Sequence, residues 1–324
     1  MSLLLDVRGL NIAIEKNGRH FPLIRDFNLS LATGERLALV GESGCGKSMI
    51  ALAIMGLLDR NSVKVQSGQI LLRGQDLLRL GERDMRTVRG RQVSIIFQEP
   101  MTALNPIMPV GRQVAEMIRA HSDTSRADAE KEAIHLIKRV GIRDPEHSAA
   151  RYPHEFSGGM RQRIVIALAI ACKPQLLIAD EPTTALDVTV QAQILKLLEE
   201  LHGEMEMSLL LISHNLALVS SFSERIAVMY AGDIVEQGPT RRVLGYSRHP
   251  YTTGLLRCLP PLAPASDPAQ RRVLAEIPGQ VPTVDKLLTG CRFYDRCSQH
   301  EDRCRSERPE LAADEDGSSR RCIH

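Results

Sequence analysis

The chain has 324 residues, 43% of them apolar and 25% charged, with a formal net charge of +2 at pH 7. That length accommodates one large domain plus an appendage, with enough apolar residues for an ordinary globular core. The near balance of charge excludes a strong overall field for gathering nucleic acid or an acidic membrane surface.

The opening MSLLLDVRGL has no basic n-region, and its apolar run ends at Asp6, which reads against a signal peptide. Short strands are predicted at 3–8, 23–31 and 36–40. The last, RLALV, is a continuous apolar run suited to a buried strand. Helical spacing takes over from Lys47 to Leu58. The uncharged stretch Ser48–Leu58 is far shorter than the roughly 18 apolar residues that span a bilayer. The chain is therefore expected to span no membrane and to work in the cytosol, where thiols stay reduced. Further strands are predicted at 69–72, 92–97, 175–179, 208–212 and 225–230, and helices at 110–120, 127–140, 158–171 and 188–202. This alternation predicts an α/β fold with a parallel sheet, interrupted at about 101–171 by a helical insert. No internal repeat is present. PPLAPASDPAQ (260–270) holds four prolines in eleven residues and reads as a boundary. The chain beyond it is polar, Arg-rich and cysteine-bearing.

The segment GESGCGKS (Gly41, Glu42, Ser43, Gly44, Cys45, Gly46, Lys47, Ser48) fits G-x-x-x-x-G-K-[ST] between a predicted strand and a predicted helix. That context is what a phosphate loop needs. Its glycines permit a bend whose N–H groups face phosphate oxygens, aided by the helix N-terminus. Lys47 would reach the β- and γ-phosphates, and the Ser48 hydroxyl would ligate Mg²⁺. Cys45 reads as a small residue that happens to be a thiol; if exposed, it would make the loop sensitive to oxidation.

QLLIADEP (175–182) is an apolar strand ending in adjacent acids. Asp180 would hold Mg²⁺, and Glu181 would orient and deprotonate the attacking water. FSGGMRQR (156–163) places Ser157, Gly158 and Gly159 at a predicted helix start, a second anion cradle. One ATP needs one phosphate loop, so a second cradle points to a nucleotide sandwiched between two subunits. Gln98 in IIFQEP and His214 in LLISHN each end an apolar strand.

Together these motifs resemble an ABC-type ATPase: Walker A at 41–48, signature at 156–160, Walker B at 175–181 and a D-loop, TALD, at 184–187. The resemblance implies a P-loop NTPase fold with an antiparallel β edge and a head-to-tail dimer. In that arrangement Glu181 acts on water, His214 contacts the γ-phosphate, and Gln98 joins the Mg²⁺ site and links it to the helical insert. Asp187 meets the partner across the interface. Catalysis would be mostly positioning and charge stabilisation. Phe156 and Met160 replace the usual Leu and Gln around an intact Ser-Gly-Gly core. The family's adenine-stacking aromatic is not evident: IAIEK offers Ile14, and Phe21 lies farther along. Such stacking is worth roughly 1–3 kcal/mol, so its lack implies reduced nucleotide affinity or base selectivity.

The resemblance runs the full length toward the ATPases of dipeptide, oligopeptide and nickel importers. It is carried by IFQEPMTALNP (96–106), LIADEPTTALDVTVQAQI (177–194), VMYAGDIVEQG (228–238), RHPYT (248–252), IPGQVP (277–282) and GCRFYDRC (290–297). It implies a nucleotide-binding domain over 1–258 and a C-terminal importer-type domain over 259–324. In some members of this branch four tail thiolates hold a [4Fe–4S] cluster. Here Cys291, Cys297, Cys304 and Cys322, spaced x5, x6 and x17, suit that cluster or a structural Zn²⁺. The lack of a C-x2-C knuckle favours iron–sulfur. Tyr294-Asp295 replaces the branch's usual Pro-bearing turn. Cys172 and Cys258 read as incidental thiols, in a helix and at the end of one.

The implied partners are a second ATPase subunit, expected as a paralogue, two transmembrane permeases, and a periplasmic or surface peptide-binding protein. The implied location is the cytoplasmic face of a bacterial inner membrane. Nickel or antimicrobial-peptide import is the alternative cargo. A soluble non-transport ABC ATPase is disfavoured by the single phosphate loop and the absence of heptads or a basic face. A catalytically dead subunit is disfavoured because Lys47, Asp180, Glu181 and His214 are all present.

Overall fold

In the computed structural model, which describes residues 2–184, 186–259 and 276–324, the chain opens with β1 (Leu3–Lys16) and β2 (Arg19–Ala32). These strands form one antiparallel hairpin closed by Asn17-Gly18, with φ of 54° and 71°, a two-residue turn of the type I′ kind. Both are longer than predicted. Irregular register between Val7 and Ala13 breaks the strict alternation by which a strand is recognised. β3 (Arg36–Val40) leaves this layer. β4 (Val63–Leu72) and β5 (Gln75–Asp76) rejoin it, giving an antiparallel sheet of order β2-β1-β4-β5.

The main sheet takes β3 with β6 (Val93–Ile96), β7 (Leu176–Asp180), β8 (Ser208–Ser213), β9 (Arg225–Tyr230), β10 (Asp233–Pro239), β11 (Ala312–Ala313) and β12 (Ser319–Arg320), in the order β11-β12-β10-β9-β3-β8-β7-β6. From β9 to β6 all neighbours are parallel, while β10, β12 and β11 run antiparallel at the edge. The sheet is thus mixed. Strand β10 is absent from the predicted elements, although its residues lie in VMYAGDIVEQG; the Ala231-Gly232 turn before it places both residues at positive φ.

Alternate residues of the central strands feed two cores. Ala38, Val40, Leu177, Ala179, Leu209 and Leu211 face one, and Leu37, Leu39, Leu176, Ile178, Leu210 and Ile212 face the other. Burial on both faces explains why these strands read as unbroken apolar runs. Helices Val110–Ala120, Arg126–Arg139, Pro145–Ala149 and Gly158–Ile170 pack on one another. No strand interrupts them. Helix Lys47–Ile54 stops short of the predicted Leu58 at Gly56, whose φ is +63°. Cys172 lies just beyond helix Gly158–Ile170, not inside it, whereas Cys258 caps helix Pro250–Arg257 as expected.

The C-terminal region is built onto the same body. Strand β12 pairs Arg320 and Ser319 with Glu236 and Gln237, and Phe293 is part of the first core. The proline-rich stretch 260–270 lies outside the described residues. Among the described residues no helix is long and apolar enough to cross a membrane.

Candidate nucleotide site

Parallel strands put their C-terminal ends along one edge of the sheet, and ligands bind outside such ends. The order β6-β7-β8-β3 therefore gathers four motifs: Gln98 after β6, Asp180 and Glu181 at β7, His214 after β8, and the phosphate loop after β3. Their sequence separation disappears in the fold. A cavity of about 590 Å³ lies there, lined by Ser43, Gly44, Gly46, Lys47, Ser48, Gln98 and Glu181 among others, while His214 and Asp180 stand outside this lining.

The loop's shape depends on glycine at a point of close approach. A Cβ on Gly41 would stand 2.1 Å from the Met229 carbonyl oxygen, so no larger residue fits without moving β9. Lys47 is 4% exposed and donates to the carbonyls of Gly41 at 2.8 Å and Glu42 at 3.0 Å. The third donor of its ammonium is directed at the Cys45 sulfur, 3.8 Å away. Glu42 does not face the cavity; its carboxylate is held by Arg296. Cys45 is fully buried, and burial pushes its thiol up, against the pull of Lys47. An exposed, oxidation-sensitive loop thiol is thereby ruled out.

Glu181 is the hub. Gln98 Nε2 donates to its Oε2 at 3.1 Å, and so does Thr184 Oγ1 at 2.9 Å. His214 Nδ1 stands 3.2 Å and Lys47 Nζ 4.0 Å from Oε1. The residue is 9% exposed and has a φ of +47°. That left-handed backbone costs a non-glycine residue about 1–3 kcal/mol and is tolerated where function fixes the geometry. Asp180 is 6% exposed, and burial raises its carboxyl above the usual carboxylate value, opposed by a hydrogen bond from Ser48. Its Oδ1 has no hydrogen-bond partner among the described residues. A buried orphan oxygen beside a hydroxyl is the donor set a magnesium ion takes.

The second cradle lies elsewhere. Ser157 caps helix Gly158–Ile170, its side chain accepting from Met160 N, and Asp187 caps helix Val188–Met205 through Val190 N. A Cβ on Gly159 would meet Val190 at 2.8 Å, so the two helix starts lie side by side. Among the described residues Ser157, Gly158, Gly159 and Asp187 do not line the phosphate-loop cavity. Phe156 is buried in the first core, with the Arg151 guanidinium over its ring, which accounts for an aromatic in that position.

The four tail cysteines do converge: Cys291, Cys297, Cys304 and Cys322 line one small cavity with Phe293 and His300. Burial pushes Cys291 up to about 11, and the other three thiols add to the rise. Yet among the described residues no group of three or more His, Cys, Asp or Glu side chains is arranged to hold a metal ion. The expected metal site is therefore not present as a closed coordination shell. The donor chemistry fits a four-thiolate group, whereas the four cysteines are free.

Three residues of this neighbourhood have no site role in the sequence reading. Thr184 helps hold Glu181; it lies inside the TTALD run but bears no motif role of its own. Tyr251, from RHPYT, accepts the Glu42 backbone N–H at 2.9 Å, and Arg296, from GCRFYDRC, grips the Glu42 carboxylate at 2.6 and 3.0 Å. Two motifs that mark the branch thus meet on one loop residue.

Comparison with known proteins identifies the relatives of the chain. Two family profiles match: "ABC transporter" over residues 24–184 and "Oligopeptide/dipeptide transporter, C-terminal region" over residues 235–304. A putative peptide import ATP-binding protein of Brucella melitensis is 46% identical over 326 residues, covering 99% of this chain and 96% of that protein. The dipeptide transport ATP-binding protein DppD of Escherichia coli is 45% identical over 98% and 96% of the two chains. The oligopeptide transport ATP-binding protein AppD of Bacillus subtilis is 42% identical over 100% and 97%. Among solved structures, cbiO1 of Clostridium perfringens, part of the ABC transporter complex cbiONQ, superposes with a TM-score of 0.66 at 25% identity, over 76% of this chain and 92% of that one. The phosphate loop, the acids on β7 and the full-length relatives lead to one assignment: the chain belongs to the ABC transporter ATP-binding proteins, in the branch that carries the oligopeptide/dipeptide transporter C-terminal region.

Proposed function

We propose that this chain is the ATP-hydrolysing, energy-coupling subunit of an importer of dipeptides or oligopeptides. The observation that carries the reading is the convergence of Gln98, Thr184, His214 and Lys47 on Glu181 beside the phosphate loop. In this role the loop N–H groups and Lys47 grip the triphosphate. Ser48, Asp180 and Gln98 would hold Mg²⁺, which supplies charge neutralisation at the phosphates. Glu181 Oε1 or Oε2 takes the proton of the attacking water, and its buried hydrogen bonds fix the carboxylate's direction. His214, exposed at the end of β8, is free to turn toward the γ-phosphate.

Ser157, Gly158, Gly159 and Asp187 would act on the nucleotide of a second ATPase subunit, which their separation from the phosphate-loop cavity supports. A paralogous mate, two permeases and a peptide-binding protein complete the proposed assembly, with this chain peripheral on the cytoplasmic face of the membrane. Residues 1–258 would be the nucleotide-binding domain and 259–324 the appended domain. Cys291, Cys297, Cys304 and Cys322 would hold a [4Fe–4S] cluster, or Zn²⁺ in its place, on the strength of their shared cavity and all-thiol chemistry.

The test of the central reading is Glu181→Gln in the assembled transporter. The variant is expected to bind ATP and lose hydrolysis by about 10²-fold or more; normal turnover refutes the assigned role.

A further inference from the structure

The phosphate-loop cavity continues into a slot whose described lining contains no aromatic ring. Ile14 of β1 and Leu23 of β2 contribute to it from the first sheet. Val281, Pro282, Val284 and Leu287 contribute from the C-terminal region. All six side chains are half-buried, and the turn Val284–Lys286 packs on β2. An apolar slot continuous with a triphosphate cradle has the chemistry of a nucleobase subsite, since a purine presents apolar faces and polar edges.

The C-terminal segment is pinned on both sides of the slot. Upstream, Arg296 donates from Nε to the Pro278 carbonyl at 2.8 Å and from Nη2 to that of Ile277 at 3.3 Å, while the same guanidinium holds Glu42 of the phosphate loop. Downstream, Arg25 of β2 donates to the carbonyls of Leu288, Thr289 and Gly290 at 3.2, 2.6 and 3.1 Å, and pairs with Asp233. Arg292 reaches the Pro22 carbonyl at 2.6 Å and also those of Leu23 and Ala231, two residues of the cavity wall. Three arginines thus fix residues 277–292 to the loop and to β2.

We propose that residues 281–287 form a strap that completes the base subsite of the nucleotide pocket. The purine of a nucleoside triphosphate is then held by aliphatic side chains from β1, β2 and the C-terminal region, in place of a stacked ring. This deepens the ATPase reading and rests on it. The strap's single polar side chain toward the cavity is Thr283, so base edges are read weakly and ATP and GTP bind within severalfold of each other.

The test measures binding of ATP and of inorganic tripolyphosphate, each with Mg²⁺, to the full chain by calorimetry. Val281→Ala/Val284→Ala is expected to weaken ATP about tenfold, since four carbons leave a half-buried contact, and to leave tripolyphosphate unchanged. An unchanged ATP affinity, or equal losses for both ligands, overturns the strap. Val284→Thr, of the same shape, carries the test if the double variant is unstable. It is expected to weaken ATP about threefold, and no loss there also overturns the strap. Lys47→Ala separates this proposal from the reading beneath it: it should abolish binding of both ligands, and if both bind unchanged the phosphate-loop assignment itself fails.

Discussion

Arg296 gives the most informative single perturbation, because its guanidinium joins the cysteine-bearing region to the phosphate loop. Its side chain is 6% exposed, against 29% for Glu42. It makes two hydrogen bonds to the carboxylate, two to backbone carbonyls and one at 3.5 Å to the Tyr230 hydroxyl, and it lies 5.7 Å from the centre of the Tyr230 ring. Burial disfavours its charge, but the Glu42 carboxylate outweighs that and raises the guanidinium above its ordinary value. Arg296→Met keeps the length and removes all five bonds. Breaking a fully buried pair by deleting one partner costs about 3–5 kcal/mol. Glu42 regains some water, so the expected loss is about 2–3 kcal/mol. Glu42→Gln, which keeps the size and one acceptor, should cost about 1–2 kcal/mol. Combined, the two should fall short of additivity by about 1–2 kcal/mol. The chain has no tryptophan, so urea unfolding is best followed by far-ultraviolet circular dichroism. Single losses that add to within about 0.5 kcal/mol would show no coupling and refute the bridge between tail and loop.

The buried His249 caps helix Pro250–Arg257 through Nδ1, which accepts from Tyr251 N, and burial pulls it down to about 3 from an ordinary 6.5. Its contribution is therefore intact above pH 6.5 and lost as pH falls toward 3, at about 1.4 kcal/mol per pH unit. His249→Asn keeps a cap acceptor and should reduce the stability lost between about pH 7 and 5.5 by about 1 kcal/mol; identical pH slopes in urea titrations would refute this. For the tail, iron and acid-labile sulfide are expected to co-purify anaerobically. Stoichiometric zinc without sulfide would replace the cluster with the single ion, and neither would leave the four thiols metal-free.

Most of the nucleotide site is legible in the sequence because each motif sits at the end of an apolar strand, and a parallel sheet brings such ends together. RLALV, QLLIAD and SLLLIS read as strands from composition alone, and Lys47, Glu181, Gln98 and His214 then meet by topology. The hairpin of β1 and β2 is only half visible. Its bulges obscure the alternation, although Asn17-Gly18 between Lys16 and Arg19 is a strong local turn signal that joins the two strands. Strand β10 escapes notice for a related reason. It is buried at nearly every position, as a strand covered on both sides is, and Glu236 and Gln237 sit where apolar residues would be looked for. Glu236 is buried because its carboxylate accepts the N–H groups of Arg248 and His249, a partner no periodicity displays.

What the sequence conceals most is the use of the C-terminal region. Read alone, the arginines at 292 and 296 look like solvated charge between cysteines. In the fold they are 3% exposed as a residue and 6% exposed as a side chain, respectively, and burial pulls Arg292 down to about 10. Such burial is sustained only because their donors meet carbonyls and carboxylates of β2, the β9–β10 turn and the phosphate loop. Tyr230, Tyr251 and Phe293, with ring centres 4.7 to 5.3 Å apart, pack behind the same contacts. A turn between Cys291 and Cys297 thus reaches Glu42 on one side and Leu23 on the other. Unfolding of this turn would therefore remove the side-chain contacts that Arg296 makes to Glu42 of the phosphate loop.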